Sequence, residues 1–215
     1  MKIVIHTNNI CEKTKKGFVV LKIGYQGDIG SNSEEAAKKF VEREFKHRSS
    51  VVEFIPLISS ENVIKAVLNG EVNYGVCAFR SCTDYDIIRV NETEHALVNT
   101  SSSLEVVSSM QMPIHHCLFV LPNLEADDVV AIASHEQAQL RTIKSRARIC
   151  PQAETILEKD TAWCARALRS GELPGNYGVI CRQETGEKYN LKLIGENIED
   201  EPIRTEFMLL KKYEE

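Results

Sequence analysis

The sequence lacks the features that mark membrane, secreted and nucleic-acid-binding proteins. No apolar run approaches the ~20 residues that cross a bilayer, and the apolar run of residues 1–6 is too short for a signal peptide. A basic excess is also missing, because 26 Lys and Arg face 31 Asp and Glu and leave a net charge of -5. This balance argues against a nucleic-acid partner. We therefore expect a cytoplasmic protein with neither a nucleic-acid nor a membrane partner.

The seven cysteines form no Cys-x-x-Cys pair. An odd count without such a pair argues against both a disulfide framework and a zinc ribbon. Most of the cysteines lie in apolar runs, where a free thiol behaves as a small hydrophobe, so a reducing compartment is indicated. The histidines match no zinc-binding spacing either. We expect no metal and no cofactor.

The 215 residues, 43% hydrophobic and 27% charged, have the composition of a soluble globular protein. Strand-like and helix-like segments alternate up to Phe79, which predicts a mainly parallel sheet with crossover helices. An irregular polar stretch then precedes a new strand at Leu104. We therefore predict an α/β fold with two lobes, the first comprising 18–103 plus 195–215 and the second 104–194, after an N-terminal extension of 1–17. The cleft between two such lobes is the usual place for a small ligand.

The glycine-rich stretch from Gly24 to Ala36 joins a predicted strand to a predicted helix. Asn32 is the expected N-cap of this helix, with Glu35 as its capping-box partner. Backbone N–H groups and the positive end of a helix dipole converge at such a point and suit an anion, although an ordinary turn is the alternative. Asp160 is expected to cap another helix, which ends at Gly171.

Several segments together resemble the prephenate dehydratase family. The opening loop is similar to the family's Gly-Pro-x-Gly-Thr-Phe-Ser-x-x-Ala, and residues 113–118 resemble its Pro-Ile-x-His-x-Leu. Residues 134–138 resemble its Ser-His-Pro-Gln-Ala, and residues 160–165 its Ser-Thr-Ala-x-Ala-Ala. Thr205, Glu206 and Phe207 stand where the family has Thr-Arg-Phe. The five matches occur in the family's order and cover residues 18 to 210.

This resemblance implies two α/β lobes like those of a type II periplasmic binding protein, with the active site between them. It implies a lyase that removes water and carbon dioxide from prephenate to give phenylpyruvate, on the route to phenylalanine. It also implies a homodimer. The family's regulatory ACT domain would follow the last motif, where this sequence ends, so none is expected.

Prephenate is a dianion whose ring hydroxyl must leave, so the site needs anion holders and a proton donor. Thr205 matches the family's catalytic threonine, although a threonine in a strand is more often structural. The two helix starts and the motif segments supply the expected substrate-binding residues, which are Gly30, Ser31, Ser33, Ser81, Cys82, Asp160, Thr161, Ala162, Arg204 and Phe207.

Two departures from the family pattern define further candidates. Arg80 replaces the glutamate of Pro-Ile-Glu-Asn-Ser, and Glu206 replaces the arginine of Thr-Arg-Phe. The exchange suggests an ion pair of reversed polarity, and both residues are included as catalytic candidates. Alternatively, Arg80 holds a substrate carboxylate. We interpret His116 as a core histidine and assign no role to His135.

The departures leave two other functions open. One is a non-aromatising prephenate decarboxylase of a specialised metabolite pathway, which keeps the ring hydroxyl. The other is a non-catalytic binder of an aromatic or cyclic carboxylic acid, because fold does not dictate activity.

Overall fold

The computed structural model describes residues 2–4, 20–46, 51–98 and 100–213. It has two α/β lobes, each built around its own sheet, as the sequence predicts. The strands are β1 (Lys2–Val4), β2 (Val20–Tyr25), β3 (Val51–Pro56), β4 (Tyr74–Cys82), β5 (Ile87–Arg89), β6 (Leu104–Ile114), β7 (Cys117–Val120), β8 (Ala131–His135), β9 (Glu154–Glu158), β10 (Tyr177–Cys181), β11 (Lys192–Gly195) and β12 (Ile203–Lys212). The helices are α1 (Asn32–Glu44), α2 (Ser60–Leu68), α3 (Asn91–Val98), α4 (Glu136–Arg141), α5 (Ile143–Ile149), α6 (Thr161–Ser170) and α7 (Gln183–Lys188).

The first lobe contains a sheet in the order β1-β3-β2-β4-β12-β6, and β5 pairs with β4. Strand β2 runs parallel to β3 and β4, because α1 and α2 provide the crossovers. Helix α1 buries Ala36, Ala37, Phe40 and Val41 at helical spacing against one face of this sheet. Helix α2 buries Val63 and packs on the opposite face, so the sheet is covered on both sides.

One strand does not belong to the lobe that the sequence analysis gave it. Strand β6 was assigned to the second lobe, but it pairs antiparallel with β12 along its whole length and forms the edge of the first sheet. The second sheet therefore begins at Cys117 rather than at Leu104. Residues 104–120 thus form two strands in two sheets, and the chain crosses between the lobes at His115 and His116.

The second lobe contains a sheet in the order β11-β7-β10-β8-β9. Strand β8 runs parallel to β9 and β10, so these three strands end at the same edge of the sheet. Helix α6 packs its buried face, which includes Cys164, Ala165 and Leu168, against this sheet. The return crossing lies between β11 and β12, so two chain segments connect the lobes.

Other segments differ from the sequence-based expectation. The stretch predicted to be irregular contains β5 and α3, and strand β9 was not predicted. A 3-10 turn at Ala126–Asp128 precedes β8, which begins at Ala131. The helical segment after β8 is divided at Thr142 into α4 and α5.

Most of the predicted extension, residues 5–17, lies outside the described residues, as does Cys11. Lys2–Val4 pairs antiparallel with β3. The six cysteines in the described part of the chain are free thiols, five of them buried. Across the described residues, no helix is both long and apolar enough to cross a bilayer.

Candidate active site between the lobes

A cleft lies between the two lobes, with about 670 Å3 of empty space when the part open to solvent is counted. The first lobe contributes the end of β2, the start of α1 and the facing parts of β4 and β12. The second lobe contributes the segments that follow the carboxyl ends of β8 and β9. Ligands of α/β proteins bind at this edge of parallel strands, because the loops and helix starts there converge. The cleft is therefore the candidate active site.

The cleft brings together seven of the residues expected from the sequence. They are Ser31, Ser33, Ser81, Asp160, Thr161, Thr205 and Phe207. Ser81 and Thr205 are direct cross-strand partners on β4 and β12, so their side chains are neighbours on one face of the sheet. Motifs that are distant in sequence thus meet at one surface.

Four other expected residues lie on the opposite face of the same strands. Arg80 pairs across the strands with Glu206, and Cys82 with Arg204. Since neighbouring strand residues alternate between faces, these four side chains point away from Ser81 and Thr205, and none lines the cleft. The expected ion pair is present, with 3.8 Å between Arg80 Nη1 and Glu206 Oε2, but it lies outside the cleft. Arg204 Nη1 lies 3.9 Å from Asp84 Oδ1, and both side chains are exposed.

The start of α1 is organised by its own side chains. Ser31, rather than the expected Asn32, is the N-cap and accepts from the Glu34 amide at 3.2 Å. The Gly30 amide donates to the buried Glu34 carboxylate at 2.6 Å. This helix start, which was expected to bind an anion of the substrate, therefore already binds a carboxylate of the protein. Hydrogen bonds from Lys38 and Gly30 outweigh the effect of burial and lower the pKa of Glu34.

The start of α6 likewise holds the carboxylate of its own N-cap. Asp160 Oδ1 accepts from the amides of Trp163 at 2.7 Å and Asp28 at 3.1 Å. Ala162 lies behind this cap and does not line the cleft, whereas Thr161 does. Burial raises the pKa of Asp160 to about 6, although the hydrogen bonds from Trp163 and Asp28 oppose the shift. A carboxyl group with this pKa can carry a proton close to neutral pH.

Two histidines line the cleft. His116 is buried, as expected from the sequence, and also reaches this cleft. Burial lowers the pKa of His116 to about 4, so its imidazole is neutral. Burial also lowers the pKa of His135. His135 Nδ1 caps α4 by accepting from the Gln137 amide at 3.2 Å, which places the ring proton of the neutral form on Nε2.

Arg141 provides a buried cation that the sequence analysis did not identify. It extends from α4 of the second lobe and is only 8% exposed. Its Nε donates to Ser81 Oγ at 3.1 Å and its Nη2 to the Ser81 carbonyl at 2.7 Å, while Nη1 contacts Asp86 Oδ1 at 2.7 Å. The guanidinium group thus joins the second lobe to β4 and to the turn after it.

Gln137 and Lys159 also line the cleft and were not expected there. Gln137 Nε2 donates to the Arg89 carbonyl at 3.4 Å, and its buried Oε1 has no partner among the described residues. Both positions had a signal in the sequence. Gln137 is part of the Ser-His-x-Gln-Ala match, and Arg141 lies four residues later, on the same helix face. Lys159 immediately precedes the Asp160 motif.

Comparison with known proteins places the chain in one family. Residues 23–215 match the family model described as Prephenate dehydratase. Arogenate dehydratase 4, chloroplastic, of Arabidopsis thaliana is 32% identical over 110 residues, which is 51% of this chain and 26% of that protein. A bifunctional chorismate mutase/prephenate dehydratase of Stutzerimonas stutzeri is 25% identical over 90% of this chain and 49% of that protein.

A solved structure supports the fold. The prephenate dehydratase of Arthrobacter aurescens superposes with a TM-score of 0.70 at 21% identity, over 91% of this chain and 61% of that chain. The expected fold class, two α/β lobes of the prephenate dehydratase kind, is confirmed. The chain spans about half or less of the length of the curated relatives that it matches.

Proposed function

The chain belongs to the prephenate dehydratase family, and from this premise we propose that it is a lyase that converts prephenate to phenylpyruvate. The carboxylate on the ring leaves as carbon dioxide, and its bonding electrons enter the ring. The ring hydroxyl departs with one proton as water. The position of Thr205 in the inter-lobe cleft carries this proposal, because it matches the family's catalytic threonine.

Thr205 assists the departure of the hydroxyl by donating a hydrogen bond to it. A threonine hydroxyl is too weak an acid to surrender its proton outright, so the water that leaves needs another proton source. Asp160 lines the same cleft and has a pKa of about 6, which suits proton delivery near neutral pH. Ser31, Ser33 and Thr161 contribute polar contacts to the substrate.

The test is incubation with fresh prephenate while ultraviolet absorbance and carbon dioxide are followed together. We expect both phenylpyruvate and carbon dioxide above the spontaneous rate, and Thr205→Ala should lower kcat by at least about a hundredfold. Thr155→Ala is the matched control, because Thr155 is exposed on β9 and outside the cleft. Arogenate is assayed in parallel, since several relatives carry its name.

Two results would contradict the proposal. Carbon dioxide without an aromatic product would assign a non-aromatising decarboxylase. Binding without turnover of either substrate would assign a binder. The departures at Arg80 and Glu206, which left these functions open, lie outside the cleft and therefore favour neither.

We also propose a cytoplasmic homodimer, as the family resemblance and the free cysteines indicate. Light scattering on the purified chain measures its mass, and a monomer at micromolar concentration would contradict the dimer.

A further inference from the structure

We propose that Arg141 binds the substrate carboxylate that is retained in the product, and that Asp86 competes with this carboxylate for the guanidinium group. The inference rests on the proposed function for the identity of the ligand. It concerns binding rather than turnover, so the two can fail separately.

The hydrogen bonds of Arg141 leave part of its guanidinium group available to a ligand. Its three contacts, two to Ser81 and one to Asp86, use three of its five N–H groups. The remaining two, one on each Nη atom, have no partner among the described residues. Both Nε and Nη2 donate to Ser81, so the available N–H groups lie at the Nη end. Each of these N–H groups can donate a charge-assisted hydrogen bond to a carboxylate oxygen.

The surroundings of Arg141 place its guanidinium group in the same cleft as Thr205. The guanidinium group is anchored to Ser81, and the direct cross-strand neighbour of Ser81 is Thr205. Directly opposed strand residues have Cβ atoms about 5 Å apart. A carboxylate held by Arg141 therefore lies in the same cleft as the hydroxyl that acts on the substrate ring. Lys159, in contrast, is exposed at the mouth of the cleft.

The chemistry determines which carboxylate Arg141 should hold. A strong contact with the carboxylate that leaves would stabilise the substrate more than the transition state, because its charge moves into the ring as carbon dioxide departs. A contact with the side-chain carboxylate carries no such penalty, since this charge persists in phenylpyruvate. Arg141 should therefore bind the product as well as the substrate.

Asp86 distinguishes ligand binding from a purely structural role of Arg141. Its carboxylate lies 2.7 Å from Nη1, and its side chain is 51% exposed. If Arg141 serves only to join the lobes, loss of the Asp86 charge weakens that connection. If Arg141 binds a carboxylate, loss of the same charge removes a competing anion and strengthens the binding.

The experiment measures phenylpyruvate affinity by calorimetry, with methyl phenylpyruvate as the uncharged comparison. We expect Arg141→Lys to weaken phenylpyruvate binding by about tenfold or more, because lysine cannot bind Ser81 and a ligand carboxylate at once as the guanidinium group does, and to leave the ester unchanged. We expect Asp86→Asn to strengthen phenylpyruvate binding by roughly two- to fivefold. Asp84→Asn, which makes the same charge change in the same turn but lies near Arg204, should have a smaller effect.

Four results would overturn the inference. They are no binding of phenylpyruvate to the unmodified chain, full affinity in Arg141→Lys, an equal loss for acid and ester, or a loss in Asp86→Asn as large as that in Arg141→Lys. If Arg141→Lys does not fold, Asp86→Asn still decides, because it keeps the arginine. A chain that binds phenylpyruvate through Arg141 but does not turn over prephenate would keep this inference and reject the proposed function.

Discussion

Burial acts in opposite directions on two side chains of the cleft. It raises the pKa of Asp160 to about 6 and lowers the pKa of His116 to about 4, because each group favours its uncharged form away from water. Folding therefore takes up a proton at Asp160 in the window between about pH 4 and 6. At His116 folding releases a proton between about pH 4 and 6.5. The two groups make opposing contributions to the pH dependence of stability.

Asp160→Asn should remove the first contribution. The Asn side chain can still accept from the Trp163 and Asp28 amides, so the cap is kept while the buried charge is lost. We expect the variant to be the more stable protein at pH 7, by up to about 2 kcal/mol, and the difference to vanish as the pH falls to 4. Urea unfolding midpoints of both proteins, measured from pH 4 to 7, give this difference in stability. A difference that does not change with pH would contradict the raised pKa.

In His116→Gln the stability relative to the unmodified protein should change with pH in the opposite direction. The variant loses packing at every pH, but it also loses the group that must stay neutral in the folded protein. Below pH 6.5 the unmodified protein is penalised for holding His116 unprotonated, so the stability gap between the two proteins should narrow by about 2–3 kcal/mol towards pH 4. The same urea series measures it. A gap that widens on acidification would mean that His116 is protonated in the folded state.

At the scale of elements, helix ends were predicted more accurately than strand partners. Asp160 caps the start of α6 and Gly171 its end, as expected, because capping depends on residues that are close together in the sequence. At α1 the sequence analysis chose Asn32, but the cap is the adjacent Ser31, because the backbone is still extended at Ser31 and is helical from Asn32. The sheet assignment of β6 depends on pairing with β12, about a hundred residues away, which no local pattern contains.

The missed elements share a different cause. In α3 only Thr93 is buried, so its polar sequence has no apolar stripe to identify it. Strand β9 lies at a sheet edge and has mostly exposed side chains. Residues that line the cleft could be predicted where they belong to a matched motif, as Thr205 does. Arg141 was missed because its role depends on α4 facing β4 across the cleft.

The cap of α1 permits a direct test at this scale. Ser31→Ala removes the hydroxyl that accepts from the Glu34 amide and should lower the free energy of unfolding by about 1 kcal/mol. Asn32→Ala, at the first helical position, is the matched control and should cost less, because alanine favours the helix. Urea unfolding of both variants measures the difference. A larger loss of stability in Asn32→Ala than in Ser31→Ala would mean that Asn32, the residue expected from the sequence, is the N-cap.

At the scale of the molecule, side chains connect the lobes on both sides of the cleft. On one side Arg166 pairs with Asp28 at 3.0 Å, and Thr185 donates to the Gly30 carbonyl at 2.7 Å. On the other side Arg141 reaches β4. The loop after β2 is therefore held by the second lobe as well as by its own.

Gly30→Ala should disturb this connection. Gly30 has φ +97°, and an added Cβ would lie 2.8 Å from Thr185 Oγ1. Gly171 has a comparable φ of +83° with nothing within 4 Å, so Gly171→Ala measures the backbone strain alone. We expect about 1 kcal/mol lost for Gly171→Ala and roughly 2–4 kcal/mol for Gly30→Ala. Equal losses in urea unfolding would mean that the contact with Thr185 adds nothing.

The position of β12 between β4 and β6 gives synthesis of the chain a definite order. The second sheet uses only residues from Cys117 to Gly195, an uninterrupted segment. The first sheet cannot close until residues up to Lys212 have left the ribosome. During translation the second lobe can therefore fold completely while β4 and β6 still lack β12, the strand between them that joins them. The first lobe, which contains the first strands of the chain, is therefore the last to complete its sheet.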